Sequence, residues 1–157
     1  MGGAQTGPNP TDRGKAGSKR HLLTDGEGVP LAVELTAANV NDCRVAMDLV
    51  DSVEPIYSPR GRPRQRPDAI AADKAYDSRE IRQELRCLGI RALIPRRGTG
   101  KERGVGPIRW VVERTHSWLS QFRRLRVRYE KRADIHMAFL TIGCALICWN
   151  FVQRWFC

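Results

Sequence analysis

The sequence predicts an α/β fold, and three observations lead to this prediction. Two β-rich segments, HLLT and VPLAVEL, flank the turn sequence DGEG and predict an antiparallel hairpin. Further along, AIAA, DSREIRQELRCLG and IRALIP predict a strand, a helix and a strand, an order that favours parallel pairing. A long helix is expected from Pro107 to about residue 126, because its apolar residues keep helical spacing.

The 157 residues are enough for one domain with a core of its own. Residues 1–20 are rich in glycine and proline without an apolar period, which predicts a loop or a disordered lead-in. The domain is therefore expected over residues 21–157. After the hairpin, apolar residues at helical spacing predict a helix from about 43 to 53, with Asn41 or Asp42 as its N-cap.

Two later helices carry end signals or apolar stretches. Asp77 and Glu80 have the spacing of a capping box, and Gly89 follows the last apolar residue as a stop signal. The segment MAFLTIGCALICWNFV is apolar nearly all round but only 16 residues long. It predicts a buried helix rather than a membrane span.

Charge and cysteine usage indicate the partner and the compartment. The formal net charge is +10 and the isoelectric point is about 10.0, which favours a polyanionic partner such as nucleic acid. The five cysteines form an odd set without a CxxC pair, and no secretory signal precedes them. A reduced, cytoplasmic chain without a membrane anchor is expected, and neither cysteines nor histidines have zinc-ligand spacing.

Two carboxylates are candidates for chemistry. Asp73 ends a short apolar strand, where a buried charge is costly unless something pairs with it. Glu113 lies on the long helix, on one side with Arg109 and His116. If Asp73 and Glu113 converge, a divalent cation between them would favour phosphoryl transfer on a nucleic acid. The spacing also allows Glu113 simply to pair with Arg109 one turn earlier.

Several motifs resemble those of DDE-type transposases of bacterial insertion sequences, in the group of insertion sequences four and five. They are TGPNPTDRGKAGSKRHLLTDGEGVPLAVELTAANVNDC, AADKAYDSREIR, IPRRG and RWVVERTHSWLSQFRRLRVRYEKRADIH, in the expected order. The resemblance implies a ribonuclease-H-like mixed sheet flanked by helices, with Asp73 and Glu113 as the second and third catalytic acids. It also implies Mg²⁺ or Mn²⁺ as cofactor, double-stranded DNA as substrate, and a homo-oligomer when complete.

The sequence departs from the family pattern in two respects. Of a tyrosine, arginine, glutamate and lysine signature, Arg109 and Glu113 match, whereas Gly106 and Ser120 do not. No acid precedes Asp12, so the first aspartate and the first strand are expected to be missing. An upstream segment, read from a second frame, would supply them. The alternatives are an inactive remnant that acts as a non-specific DNA-binding or inhibitory module, and a small RNA-binding protein.

DNA contact is predicted on three basic segments and on Arg109 of the long helix, through phosphate groups rather than base edges. The residues are Arg60, Arg62, Arg64, Arg96, Arg97, Lys101, Arg109, Arg123, Arg124, Arg128 and Lys131. The first segment, SPRGRPRQRP, would equally suit a solvated linker.

Overall fold

The computed structural model describes residues 3–96, 98 and 106–156, with the side chains of 106–109 and 155–156 excepted. Its strands are β1 (Gly7–Pro8), β2 (Ala16–Thr24), β3 (Pro30–Ala37), β4 (Ala69–Ala71) and β5 (Arg91–Leu93). Its α-helices are α1 (Ala46–Asp51), α2 (Arg79–Cys87), α3 (Gly106–Leu119), α4 (Arg123–Arg126) and α5 (Ala133–Phe156). They form two compact units: unit 1 is Met1–Asn41 with Val111–Cys157, and unit 2 is Asp42–Trp110.

In unit 1, β1, β2 and β3 form an antiparallel sheet in that order. The turn between β2 and β3 is held by Asp25, whose Oδ1 accepts hydrogen bonds of 2.9 Å from the backbone N–H groups of Glu27 and Val29. Gly28 completes it at φ +91°, a conformation that favours glycine. The predicted hairpin is confirmed. Residues 16–20, predicted as part of a loop, instead belong to β2.

The helices of unit 1 pack around a core of Leu119, Leu125, Leu140, Cys144 and Ile147. The helix predicted to run to residue 126 is interrupted, because α3 ends at Leu119 and α4 begins after Phe122. The interruption lets Leu119 and Leu125 both approach Gly143 of α5, where a Cβ would lie 3.1 Å from one and 2.8 Å from the other. Close packing thus accounts for both the break and the glycine.

Helix α5 is buried on one face and exposed on the opposite face. The prediction of a buried helix was therefore wrong for the exposed face. Within residues 133–154, the most apolar 18-residue window has a mean hydropathy of 1.8, and 28% of that window is buried. By length and composition alone this stretch could cross a membrane, a test that the core helix of a soluble protein also passes. Leu140 and Ile147 are buried, whereas Ile142 and Trp149 are exposed.

Unit 2 contains the predicted strand, helix and strand. β4 pairs with β5 in parallel, Ala69 opposite Arg91 and Ala71 opposite Leu93. Helix α2 connects them and buries Ile81 and Leu85. The mixed α/β architecture expected from the sequence is therefore confirmed.

The helix ends of unit 2 differ from the prediction in two places. Ser78, not Asp77, caps α2, and its side chain accepts from the backbone N–H of Ile81. Asp77 instead accepts a hydrogen bond of 2.8 Å from Arg82. Helix α1 begins after Val45 without a side-chain cap, because Asp42 starts a separate 3-10 turn, Asp42–Arg44. Gly89 follows α2 at φ +74°, as its stop signal predicts.

Candidate active site

Asp73 lies just beyond the carboxyl end of β4. It is half-buried and caps a 3-10 turn, Lys74–Tyr76, in which its Oδ1 accepts a hydrogen bond of 2.8 Å from the backbone N–H of Ala75. This bond offsets part of the cost of placing a carboxylate at the end of an apolar strand. It also fixes the direction in which the carboxylate points.

A shallow depression of about 390 Å³ surrounds this carboxylate, lined by Asp73, Lys74, Ala75 and Gly98. Beside it, burial raises the pKa of Tyr76 far above its ordinary value, and the charges of Asp42, Asp73 and Cys43 act in the same direction. Tyr76 therefore stays protonated at neutral pH. The depression combines a carboxylate, an exposed ammonium group and a neutral phenol nearby.

Asp42 lies near Tyr76, as Asp73 does, which the sequence alone did not indicate. Its charge acts on Tyr76 together with that of Asp73, so both carboxylates lie near one phenol group. The Sγ of Cys43 donates to the carbonyl oxygen of Ala75 at 2.9 Å, which ties the Asp42–Arg44 turn to the turn after Asp73. The sequence showed Asp42 only as a possible helix cap, because the two turns are more than 30 residues apart.

Glu113 is exposed on α3, and its helix is fastened to the β2–β3 turn. The hydroxyl of Thr115, which is fully buried, donates to the carbonyl oxygen of Gly28 at 2.9 Å. Arg114 donates to the carbonyl oxygen of Glu27 and lies 4.8 Å from the ring centre of Trp118. These contacts fix the position of α3 along and around its axis relative to the β2–β3 turn. They thereby fix the position of Glu113 relative to the hairpin.

His116 does not act as a cation on the same helix. Burial lowers its pKa, and the positive charges of Arg20 and His21 lower it further. A neutral imidazole contributes no charge to pair with Glu113 at neutral pH.

Asp73 belongs to unit 2 and Glu113 to unit 1. Their convergence on a shared cation thus stays a prediction. Within the described part of the chain, no three carboxylate, histidine or cysteine side chains are grouped so as to hold a metal ion.

Most of the described basic candidates are exposed: Arg60, Arg62, Arg64, Arg96, Arg123, Arg124 and Lys131. Two of them already have acidic partners, Arg64 with Asp68 and Arg124 with Glu130. Arg97 and Lys101 lie outside the described residues, and so does the side chain of Arg109. The basic loop around Arg60 is exposed as predicted, whereas DNA contact stays a prediction.

Arg128 is the exception, because its guanidinium is fully used inside unit 1. It donates from all three nitrogens, and the acceptors are the carbonyl oxygens of Ala4, Gln5, Glu130 and Lys131 and the hydroxyl of Ser18. A guanidinium has five N–H donors, so each has an acceptor. Arg128 thus fastens residues 4–5 to the segment after α4, and its contact with DNA stays a prediction.

The family model described as a transposase DDE domain matches residues 2–151, nearly the whole chain. The chain belongs to the DDE-type transposases of insertion sequences. A Burkholderia cepacia protein named "Putative transposase for insertion sequence element IS402" is 55% identical over 153 residues. That match covers 98% of this chain and 72% of the relative.

Two further relatives carry similar names. The transposase for insertion sequence element IS1106 of Neisseria meningitidis serogroup B is 30% identical, over 73% of this chain and 40% of its own length. A protein of Brucella ovis named "Putative transposase for insertion sequence element IS6501" is 24% identical, over 83% of this chain and 96% of its own length. No solved structure matches the chain significantly.

The two candidate acids of this DDE domain, Asp73 and Glu113, have the type of donor atom that a hard divalent cation binds. Such ions take carboxylate oxygens, and they are usually held by one or two carboxylates together with substrate phosphates. Asp73 uses Oδ1 for a backbone hydrogen bond that fixes its orientation, and Glu113 is exposed on a fastened helix. Both residues therefore have the chemistry required of ligands.

Proposed function

We propose that this domain takes part in DNA transposition by metal-dependent phosphoryl transfer at the ends of an insertion sequence. The observation that carries the proposal is the position of Asp73, an oriented carboxylate directly after a parallel strand in a DDE transposase domain. The carboxyl ends of parallel strands are where α/β sheets bind their ligands. Asp73 would be the second acid of the triad and Glu113 the third.

In this proposal Asp73 and Glu113 hold Mg²⁺ or Mn²⁺, which supplies Lewis-acid stabilisation of negative charge on the phosphate. The backbone N–H of Ala75 keeps the Asp73 carboxylate oriented before DNA binds. Lys74, exposed beside it, offers a cation to a phosphate oxygen. Glu113 has a second possible task, to accept or return the proton of the attacking or leaving hydroxyl group.

We further propose that another segment supplies the first aspartate. The described strands form two separate sheets, β1–β2–β3 and β4–β5, whereas a ribonuclease-H-like domain has one continuous mixed sheet. A first strand from an upstream segment would complete that sheet and bring the missing acid. The complete enzyme would act in the cytoplasm on double-stranded DNA, as a homo-oligomer.

Divalent-ion binding tests the site without relying on activity. We expect Asp73→Asn and Glu113→Gln each to weaken Mn²⁺ binding by at least about tenfold, because each removes one charged ligand. Binding is followed by the electron paramagnetic resonance signal of free Mn²⁺. The matched control is Asp68→Asn, which removes an exposed carboxylate of unit 2 that pairs with Arg64. Equal loss in the control and in Asp73→Asn would exclude Asp73 as a ligand.

The need for another segment has its own test. The purified chain with Mg²⁺ or Mn²⁺ and DNA carrying the element's ends should give little strand-transfer product. A clear product would show that no further acid is required. The nucleotide sequence 5′ of Met1 should contain an overlapping frame that encodes an aspartate on a predicted strand.

The second candidate function is an inactive remnant that binds DNA non-specifically or inhibits the intact enzyme. It is favoured by the exposed basic loop with Arg60 and Arg62, whose contacts would need no cation. In that case DNA affinity persists in Asp73→Asn without added metal, while Mn²⁺ binding is absent from the unmodified chain. Competition between DNA and RNA for the same protein separates both functions from RNA binding.

A further inference from the structure

The outer face of α5 carries a continuous apolar stripe. Its larger side chains are 41–57% exposed, and they are Ile135, Ile142, Leu146, Trp149 and Val152. The opposite face, with Leu140, Cys144 and Ile147, fills the core of unit 1. The exposed face is therefore not needed for the internal packing of the helix.

The stripe repeats every seven residues. Ile135, Ile142 and Trp149 occupy one heptad position, and Ala138, Ala145 and Val152 follow each of them by three residues. Two apolar positions separated by three and then four residues are the a and d seam of a coiled coil. A solvated helix face has no reason to keep that period over three heptads.

We infer that this face binds the same face of α5 in a second copy of the chain, in the antiparallel direction. The formal charges of α5 outside its buried His136 lie at its two ends, Asp134 in the first turn and Arg154 in the last. An antiparallel pair centred between residues 143 and 144 places Asp134 of each copy beside Arg154 of the other. A parallel pair would place like charges together at both ends.

Side-chain size favours the same register. Centred between residues 143 and 144, the antiparallel pair sets Trp149 against Ala138 of the other copy, and Ile142 against Ala145. Large residues then face small ones, which allows close packing of two helices. The parallel pair would instead oppose two Trp149 side chains.

The area involved is sufficient for a specific dimer. Each of the five larger side chains exposes 41–57% of its surface. That is about 100 Å² apiece, so two copies would remove roughly 1,000 Å² in total, the lower limit for specific interfaces. The surface and its register do not depend on the proposed chemistry, and they give the proposed homo-oligomer a defined contact.

Sedimentation of the full chain tests the contact. The unmodified chain should pass from monomer to dimer between about 1 and 100 μM. Ile142→Lys should raise the dissociation constant at least tenfold, by burying a charge in the seam. The control is Ile56→Lys in unit 2, since Ile56 is 50% exposed and Ile142 is 56% exposed. Far-UV circular dichroism checks that both variants are folded.

Charge reversal and cross-linking test the direction. Arg154→Asp should weaken the dimer, and adding Asp134→Arg should restore it. Ala145→Cys, next to the centre, should form a disulfide between copies above the background of the unmodified chain. Ala138→Cys should not, because antiparallel copies hold those positions about 16 Å apart along the helix axis.

Three outcomes would overturn the inference. A chain that is monomeric throughout the concentration range has no such contact. Equal cross-linking of Ala138→Cys and Ala145→Cys would show a parallel pair. Binding of the chain to neutral phosphatidylcholine vesicles, abolished by Ile142→Lys without any dimer in solution, would assign the face to a lipid surface.

Discussion

Replacing Arg128 by alanine should destabilise unit 1 without changing the salt dependence of DNA binding. Its five donors serve four carbonyl oxygens and one hydroxyl, and two of these bonds, to Glu130 and Ser18, are partly buried. Hydrogen bonds from a charged donor contribute about 1 kcal/mol each when partly buried and a few tenths when exposed. The free energy of unfolding should therefore fall by about 2–3 kcal/mol.

The assay is urea denaturation at one fixed protein concentration, with Arg126→Ala as the matched control. Arg126 is an exposed arginine two residues earlier, so its replacement should change stability by less than about 0.5 kcal/mol. Arg128→Lys should recover part of the loss, because an ammonium has three donors and lacks the planar fork. Hydrogen exchange at residues 4–6 should accelerate in Arg128→Ala alone.

If Arg128→Ala is as stable as Arg126→Ala, the hydrogen bonds of Arg128 do not stabilise unit 1. If Arg128→Ala reduces the salt slope of DNA binding by about one, Arg128 contacts a phosphate, because that reduction is the signature of one lost phosphate contact. Either result would support the DNA contact predicted for Arg128 from the sequence.

Three further predictions concern the turn, a buried thiol and the basic surface. Gly28→Ala should lower the free energy of unfolding, measured by urea denaturation, by about 2–4 kcal/mol. The reason is that φ is +91° at this position and the new Cβ would lie 2.9 Å from Thr115 Oγ1. The control Gly26→Ala, whose Cβ would lie in open space, should leave stability nearly unchanged. Burial raises the pKa of the Cys144 thiol from 9.0 to about 11. The contribution of this protonated thiol to the free energy of unfolding is therefore complete below pH 9 and is lost between pH 9 and 11. The free energy of unfolding should decrease between pH 9 and 11, and it should decrease less in Cys144→Ala. An equal decrease in both proteins would show that the Cys144 thiol is not the group responsible. If six phosphates are neutralised, the logarithm of DNA affinity should fall with the logarithm of salt at a slope of about −5, and a flat response would count against the basic surface.

Local sequence chemistry predicted the elements but not their long-range partners. The hairpin followed from its turn residues, and Asp25 and Gly28 hold the turn as such residues do. Asp77 and Ser78 are both capable N-caps, and the choice depends on Arg82, which bonds Asp77 and also the carbonyl oxygen of Ile94 at 2.6 Å. No local pattern could show that.

The same limit explains why the structural role of Arg128 and the exposed face of α5 could not be predicted. Arg128 lies in a run of arginines, and its acceptors at residues 4 and 5 are more than 120 residues away in sequence. Hydrophobicity identified α5 as a helix, but an apolar side chain has the same letter whether it faces the core or solvent. The position of Asp73 after a strand could be predicted because the strand is a short local segment. Its catalytic role and its meeting with Glu113 stay predictions.

The discontinuity of unit 1 has a consequence for synthesis of the protein. Its hairpin lies in Met1–Asn41, but the helices that cover it lie in Val111–Cys157. Leu22 and Val33 of that hairpin pack against the helical core, so their contacts must wait until the ribosome has released most of the chain. Unit 2 is contiguous in sequence, and we expect it to fold first. Until the later helices are synthesised, the apolar face of the hairpin stays exposed and can bind chaperones.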